Sequence, residues 1–354
     1  MSYDLYKKRN GFLDLVKIIA TILIIFHHFQ QGTGVRFSLI NFWAGSFYFG
    51  RLVELFFMIS GFLMTTYISQ IPEEISLTRF IIKRYLRLIP VVAVSTILDF
   101  MIRITSDWSV FKENPAGLLF ETISVALGFH GIANRNFTYA NGPMWYVSIL
   151  ILCYVVFYVC IYISKKVLRI TWLLPFTVIV LGELFLLNLF EYPFVNSFTC
   201  RGYVSFFGGV LIGIILSKMS VPDKCLVPVL VSVFVLSLIP LYFVRELSHW
   251  DQTIPYIVFV CYAPLLFFSK TKIAINLYGG NTFLESIAKI SFHAYCFHTP
   301  VSGLIYKIPA YGSFTLSNGL LSMIICTLII YFVSFISYSV IEKPLVKFLK
   351  EKKI

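Results

Sequence analysis

The chain has 354 residues, 58% of them apolar and only 13% charged, with a mean hydropathy of +0.83. Soluble domains are about one-quarter charged, so an ordinary cytosolic enzyme, a disordered protein and a small disulfide scaffold are excluded. The formal net charge of +12 would suit nucleic acid, but basic residues in polytopic chains more often record topology.

Ten apolar runs predict membrane-spanning helices at 12–31, 47–69, 88–104, 145–163, 172–190, 200–217, 226–243, 254–269, 283–305 and 318–341. Runs of about 17–25 residues match the hydrocarbon core crossed as helix. Barrel strands would instead alternate apolar and polar over about ten residues. The expected fold is an all-α integral membrane protein with about ten transmembrane helices. Alternate connections carry most of the cations: Lys7, Lys8 and Arg9; Arg79, Lys83, Arg84 and Arg87; Lys165, Lys166 and Arg169; Lys218 and Lys224; Lys270 and Lys272; and the lysines from Lys343 to Lys353. The intervening connections hold few, among them Arg36, Arg135, Arg201 and Arg245. The positive-inside rule then puts both termini in the cytoplasm. The charge is mostly topology, and the expected partners include membrane lipids but no nucleic acid.

The first run holds Asp14, Lys17, Thr21 and His28. Lys17 and His28 are three helical turns apart plus about 20°, so the four share one face, while His27 points about 100° away. An intramembrane ionisable residue asks for a partner or a function. The plain reading is an Asp14–Lys17 ion pair and a His28 bonded to a carbonyl. The sharper one is a polar stripe aimed into the bundle. In the second run Glu54 falls within about two turns of the outer surface, the depth expected of His28. A carboxylate beside that imidazole would fix its tautomer and raise its basicity; Arg51 is the alternative partner of Glu54.

Segment 70–87 interleaves Arg79, Lys83, Arg84 and Arg87 with apolar residues and predicts an interfacial amphipathic helix. Arg84-x-x-Arg87, with Lys83 beside it, suits a phosphate or diphosphate, or else lipid headgroups. Asp99 with Arg103, and Glu285 with Lys289, are spaced as structural i, i+4 pairs. The apolar stretch 117–130 is too short to span and predicts a re-entrant or surface-lying piece. Trp145, Tyr139 and Tyr146 fall near the outer interface, where aromatic residues gather and where a sugar ring would stack. Glu183 has no partner in sequence. His298 precedes Pro300 in the ninth run, as a packing histidine beside the proline break or as one that could bond an acceptor. The seven cysteines lie singly in or beside apolar runs, as small hydrophobes do. Neither they nor the six histidines show metal-ligand spacing, so no metal is expected. The first run, with its charge and no small-residue cleavage site, does not look like a cleavable signal.

Four segments carry a family resemblance: Lys17-x10-His28; Glu54-Leu-Phe-Phe-Met-Ile-Ser60-Gly61-Phe-Leu63; Arg84-x-x-Arg87; and Ile287-Ala-Lys-Ile-Ser291-Phe-His-Ala-Tyr295-Cys-Phe-His298-Thr-Pro300, with a closing Glu342-Lys343-Pro344 that also fits. In order and spacing they resemble the membrane-bound acyltransferase 3 family, which acylates sugars of envelope and exported glycans. The resemblance extends over essentially the whole chain, 1–354, as one polytopic domain. One departure is Trp145-Tyr-Val-Ser-Ile-Leu, where many relatives continue into a Glu-Glu pair. The resemblance implies a bacterial cytoplasmic membrane, no bound cofactor, and acyl-CoA, most often acetyl-CoA, as co-substrate. Its phosphates would rest on Arg84, Arg87 and Lys83, with Lys17 along the path of the arm. His28 would act as general base oriented by Glu54, with an acyl-histidine as the competing version. His298, Trp145 and Tyr146 would face the acceptor, a glycan or lipid-linked glycan. The rival class is a polysaccharide exporter, which has no use for acyl-CoA.

Overall fold

The computed structural model describes residues 9–38, 40–133, 140–219, 223–244 and 249–351. Tyr139, Arg135, Arg245, Lys7 and Lys8, which figured in the sequence reading, lie outside them. Helix follows helix: α1 (Gly11–Thr33), α2 (Leu52–Met64), α3 (Leu77–Ser106), α4 (Trp108–Glu113), α5 (Pro115–Ala126), α6 (Trp145–Ile163), α7 (Leu173–Leu187), α8 (Ser197–Leu216) and α9 (Asp223–Phe243). Then α10 (Ile254–Tyr256) passes through a π-helical stretch, Ile257–Tyr262, into α11 (Ala263–Phe268). After α12 (Lys272–Tyr278), α13 (Thr282–Tyr306) and α14 (Pro309–Ser317), α15 (Gly319–Ser337) continues through a π-helical turn, Tyr338–Glu342, into α16 (Lys343–Glu351). The chain is an all-α integral membrane protein. Among the described residues eight helical stretches are long and apolar enough to cross a membrane. Of the ten expected runs, 172–190 holds only the 15-residue α7. The run at 283–305 lies in the 25-residue α13, which carries Glu285, Lys289, His293 and His298.

One expectation is overturned. The basic segment 70–87 is not a separate interfacial helix: from Leu77 it forms one continuous 30-residue helix with the third span, with Pro90 inside it. Ser76 caps this helix by accepting from the Arg79 amide. The change in polarity after Arg87 therefore marks a membrane boundary rather than a helix end, because long cationic side chains reach back to water from an unbroken helix. The apolar stretch 117–130 does stay short, with α5 ending at Ala126.

Two packing devices set up the functional region. Helices α2 and α8 run parallel in a consistent register, with Glu54 opposite Arg201, Met58 opposite Gly209, Gly61 opposite Phe206 and Thr65 opposite Gly213. A Cβ on Gly61 or Gly209 would lie 1.9 Å from the carbonyl oxygen of Phe206 or Met58. Glycine lets the backbones touch, as small residues do between membrane helices. The second device is in α13. Pro300 has no N–H to offer the Cys296 carbonyl four residues back, and the buried Asn141 supplies one from its side-chain amide at 2.9 Å. The turn that starts α6 is thereby tied to the proline break.

Candidate active site

Two cavities open at opposite ends of the same four helices, α1, α2, α3 and α13. The first, about 620 Å³, lies among the N-terminal parts of α1, α3 and α13 and the C-terminal part of α2. Seven cations line it (Arg9, Lys17, Lys83, Arg84, Arg87, Lys270 and Lys289) against two carboxylates, Asp14 and Glu342. Such an excess of positive charge suits a polyanion. Several of these cations are positioned by internal partners. Lys17 is 3.4 Å from Asp14, which Arg9 also bonds. Arg87 donates to Glu342 at 2.9 Å and is 64% exposed, so its outer face remains free to meet a ligand. The other Glu342 oxygen is 2.9 Å from Nε2 of the buried His293, whose Nδ1 meets Ser337.

Arg84 is the most constrained. Its guanidinium lies 3.5 Å over the Phe80 ring, with Tyr67 and Tyr154 at 4.5 and 5.3 Å, and donates to the Phe80 carbonyl and the Met64 sulfur. The aromatic cage holds the charge at the cavity wall. Lys270 follows the α10–α11 span, and burial pushes its ammonium down to about 8. Outside the cavity rim, Glu285 bonds Lys289 at 2.8 Å, as its spacing predicted.

The second cavity, about 690 Å³, lies among the C-terminal ends of α1, α3 and α13 and the start of α2. His28 and His298 line it side by side, their ring centroids 4.8 Å apart and tilted by 34°. Nδ1 of His28 donates to the side-chain oxygen of Gln31 at 2.9 Å, and Nδ1 of His298 donates to the Tyr295 carbonyl at 2.5 Å. Both partners are acceptors, so each ring carries its proton on Nδ1 and presents an unprotonated Nε2. Two basic nitrogens therefore share this cavity. His27, on the adjoining face, bonds the Phe42 carbonyl, and Gln30 receives the Phe42 and Trp43 amides. Those bonds hold Phe42 and Trp43 against α1 beside the cavity. Asp99 and Arg103 also border it, 2.7 Å apart as their spacing predicted.

Glu54 is corrected. It does not orient His28: its Oε1 accepts from Arg201 at 2.7 Å and lies 3.6 Å from Arg51, which also bonds Asp251 at 2.7 Å. A fully buried carboxylate is taken by the nearest desolvated cations, and the α2–α8 contact delivers Arg201. Arg201 lies 147 positions away and nothing local announced it. Gln31, three residues after His28, is the side chain that orients the ring, and that spacing was legible. Tyr146 is corrected too. It is buried against Phe57, Phe56 and Tyr295 and lines the cationic cavity rather than the histidine one. Trp145, the next residue round the helix, does face the histidine cavity, with its ring 4.7 Å from the Arg201 guanidinium. Glu183 stays as the sequence left it, with a buried carboxylate oxygen that has no hydrogen-bond partner among the described residues.

Among the described residues Cys153, Cys160, Cys200, Cys261, Cys296 and Cys326 are buried and form no disulfide. Comparison with curated proteins and with solved structures finds no match. A family model described as an acyltransferase domain, that of acyltransferase 3, matches residues 10–339. That match takes in α1 to α15 and, apart from Arg9 and Glu342 at its two edges, the residues that line both cavities, and the protein therefore belongs to the acyltransferase 3 family and is a membrane acyltransferase.

Proposed function

We propose that this enzyme moves a short acyl group, acetyl in the simplest case, from cytoplasmic acyl-CoA to a sugar hydroxyl of an envelope or exported glycan, in a bacterial cytoplasmic membrane. The observation that carries the reading is the pair of cavities at opposite ends of the bundle, one cationic and one lined by two histidines with unprotonated Nε2 atoms, that of His298 accepting from the Thr299 hydroxyl at 3.3 Å. The cationic end is also the end of the basic connections, which the positive-inside rule assigns to the cytoplasm. There Arg87, Lys83, Arg84 and Lys270 would receive the phosphates of the donor. The pantetheine arm would follow α1 past Lys17 and Thr21, a path of about 16 Å to His28 at helical rise.

In the second cavity Nε2 of His28 takes the proton of the acceptor hydroxyl as its oxygen attacks the thioester carbonyl. The tetrahedral intermediate collapses, the C–S bond breaks, and the imidazolium returns the proton to the coenzyme thiolate. Gln31 holds the His28 tautomer throughout. His298 stands beside it as a second acceptor for the sugar hydroxyls, and Trp145 offers a ring face for stacking. Glu54 acts at one remove, by holding Arg201 against Trp145.

The test is the acyl content of the host's envelope glycans, measured by mass spectrometry and proton NMR. The strains are wild type, a deletion, and the deletion carrying either wild-type or His28→Ala protein at matched membrane levels. Acylation restored only by the wild-type protein is expected. Removal of a positioned base lowers the rate by about 10²–10⁴-fold, so His28→Ala should leave the glycans bare while still binding acyl-CoA. Equal acylation in all strains would overturn the glycan as acceptor. Retained transfer by folded His28→Ala would overturn the base.

A further inference from the structure

Among the described residues Tyr295 alone lines both cavities. It sits on α13 one turn before His298, 3% exposed, with its ring between Phe56 and Tyr146 on the cationic side and His298 on the other. Its hydroxyl donates to the Pro143 carbonyl at 2.7 Å. The backbone around it is pinned: its own carbonyl accepts from His298, and the next carbonyl, that of Cys296, accepts from Asn141. The chain is therefore fixed while the phenol is held by a single hydrogen bond to a turn.

We infer that Tyr295 is a movable partition between the donor and acceptor cavities, and that the space left when its ring swings aside sets how long an acyl chain reaches the histidines. This rests on the reading of the site given above. A donor held by its phosphates in one cavity must present its thioester in the other, and the phenol stands in that path. Rotation about the side-chain torsions breaks only the bond to Pro143. The neighbouring wall is made of Phe56 and Tyr146, two more flat rings with centroids 6.1 and 5.4 Å from that of Tyr295. Tyr295 is thus a positioning residue that takes no part in proton transfer.

Two measurements on the full chain in liposomes of uniform orientation decide the matter. In the first, Thr299→Cys places a thiol in the histidine cavity. A charged, membrane-impermeant methanethiosulfonate is then applied to either side, with the parent protein as background. Modification is expected to be fast from the histidine side and slow from the cationic side when Tyr295 is present, and fast from both sides in Tyr295→Ala. Tyr295→Phe should raise modification from the cationic side by roughly 2–10-fold, the weight of one hydrogen bond on an equilibrium. Equal modification from both sides with Tyr295 in place, or no change in Tyr295→Ala, would overturn the partition.

The second measurement compares kcat/KM for acetyl-CoA and hexanoyl-CoA. Tyr295→Ala should raise the hexanoyl-to-acetyl ratio, whereas Tyr295→Trp should lower kcat for both with the Kd for coenzyme A little changed. An unchanged ratio in Tyr295→Ala would overturn the role in chain length. Coenzyme-dependent thermal stabilisation checks that each variant is folded. The labelling needs no turnover, so it judges the partition even if wild-type protein fails to transfer acyl groups, an outcome that would sink the proposed reaction instead.

Discussion

Gln31 gives His28 its working tautomer with a neutral amide, which fixes the ring but adds no charge to stabilise the imidazolium. Gln31→Ala should lower kcat by about tenfold, the weight of one hydrogen bond with its geometry lost, and leave the Kd for acyl-CoA unchanged. Gln31→Glu should restore the rate, because a carboxylate also accepts from Nδ1 and raises the basicity of Nε2. Steady-state kinetics with binding measured in parallel separates the two effects. A fall in affinity with kcat intact would move Gln31 from orientation to packing. Lys270 makes a prediction in pH. Burial holds its ammonium at about 8 instead of 10.5, so between those values the folded chain binds fewer protons than the unfolded one. Stability therefore rises with pH across that window. An anionic donor favours the charged form, so its binding takes up a proton above about pH 8 and its affinity should decline there. Calorimetric titration of coenzyme A from pH 7 to 9.5 should show that decline, and Lys270→Arg, charged throughout, should flatten it.

At the scale of elements, the outcome turns on where helices touch. A Cβ at Gly61 would meet the Phe206 carbonyl at 1.9 Å, so Gly61→Ala must push α2 away from α8. Overpacking of this kind costs about 1–3 kcal/mol, and it would also draw Glu54 from Arg201. A lowered Tm and lost activity are expected for Gly61→Ala. Gly312→Ala, with nothing within 4 Å of the new methyl, should be close to neutral. If both variants behaved alike in a thermal-shift assay, the close approach of α2 and α8 would not be what holds the site.

The same contact shows what the sequence made legible. The polar stripe of α1, the Asp99–Arg103 pair and the basic turn of α3 follow from spacing within one helix, and the structure has them. Glu54–Arg201 and Asn141–Cys296 join residues 147 and 155 positions apart, and helical periodicity carries no information about which helices become neighbours. The join of 70–87 to the third span escaped for another reason: a proline and a step in polarity both look like an end, yet a membrane surface produces the step without ending the helix. Tyr146 was misplaced because the turn from Trp145 to Tyr146 sends the two rings to different cavities, and an aromatic-belt argument fixes depth but not facing.

Over the whole molecule the charge is polarised, with seven cations and two carboxylates around the first cavity and a histidine pair at the other end of the same helices. Attraction of a polyanion to such a cluster is Coulombic and is screened by salt, over about 10 Å at 0.1 M and about 3 Å at 1 M. The Kd for coenzyme A should therefore weaken steadily as potassium chloride is raised. The Kd for pantetheine, which lacks the phosphates, should be weak and nearly independent of salt. The cations should differ among themselves. Arg87 and Lys83 are exposed, Arg87 with one face on Glu342 and the other open to the ligand, so Arg87→Ala and Lys83→Ala should lower both affinity and its dependence on salt. Arg84 is half-buried in an aromatic cage with its N–H groups engaged. Its charge still acts across the cavity, but Arg84→Ala also empties the cage, so a fall in Tm should accompany the loss of affinity. Titration calorimetry in nanodiscs at several salt concentrations, with thermal shifts for the same variants, measures all of this. If coenzyme A and pantetheine bound equally well, or if affinity ignored salt, the seven cations would record only topology and the donor would have to enter elsewhere.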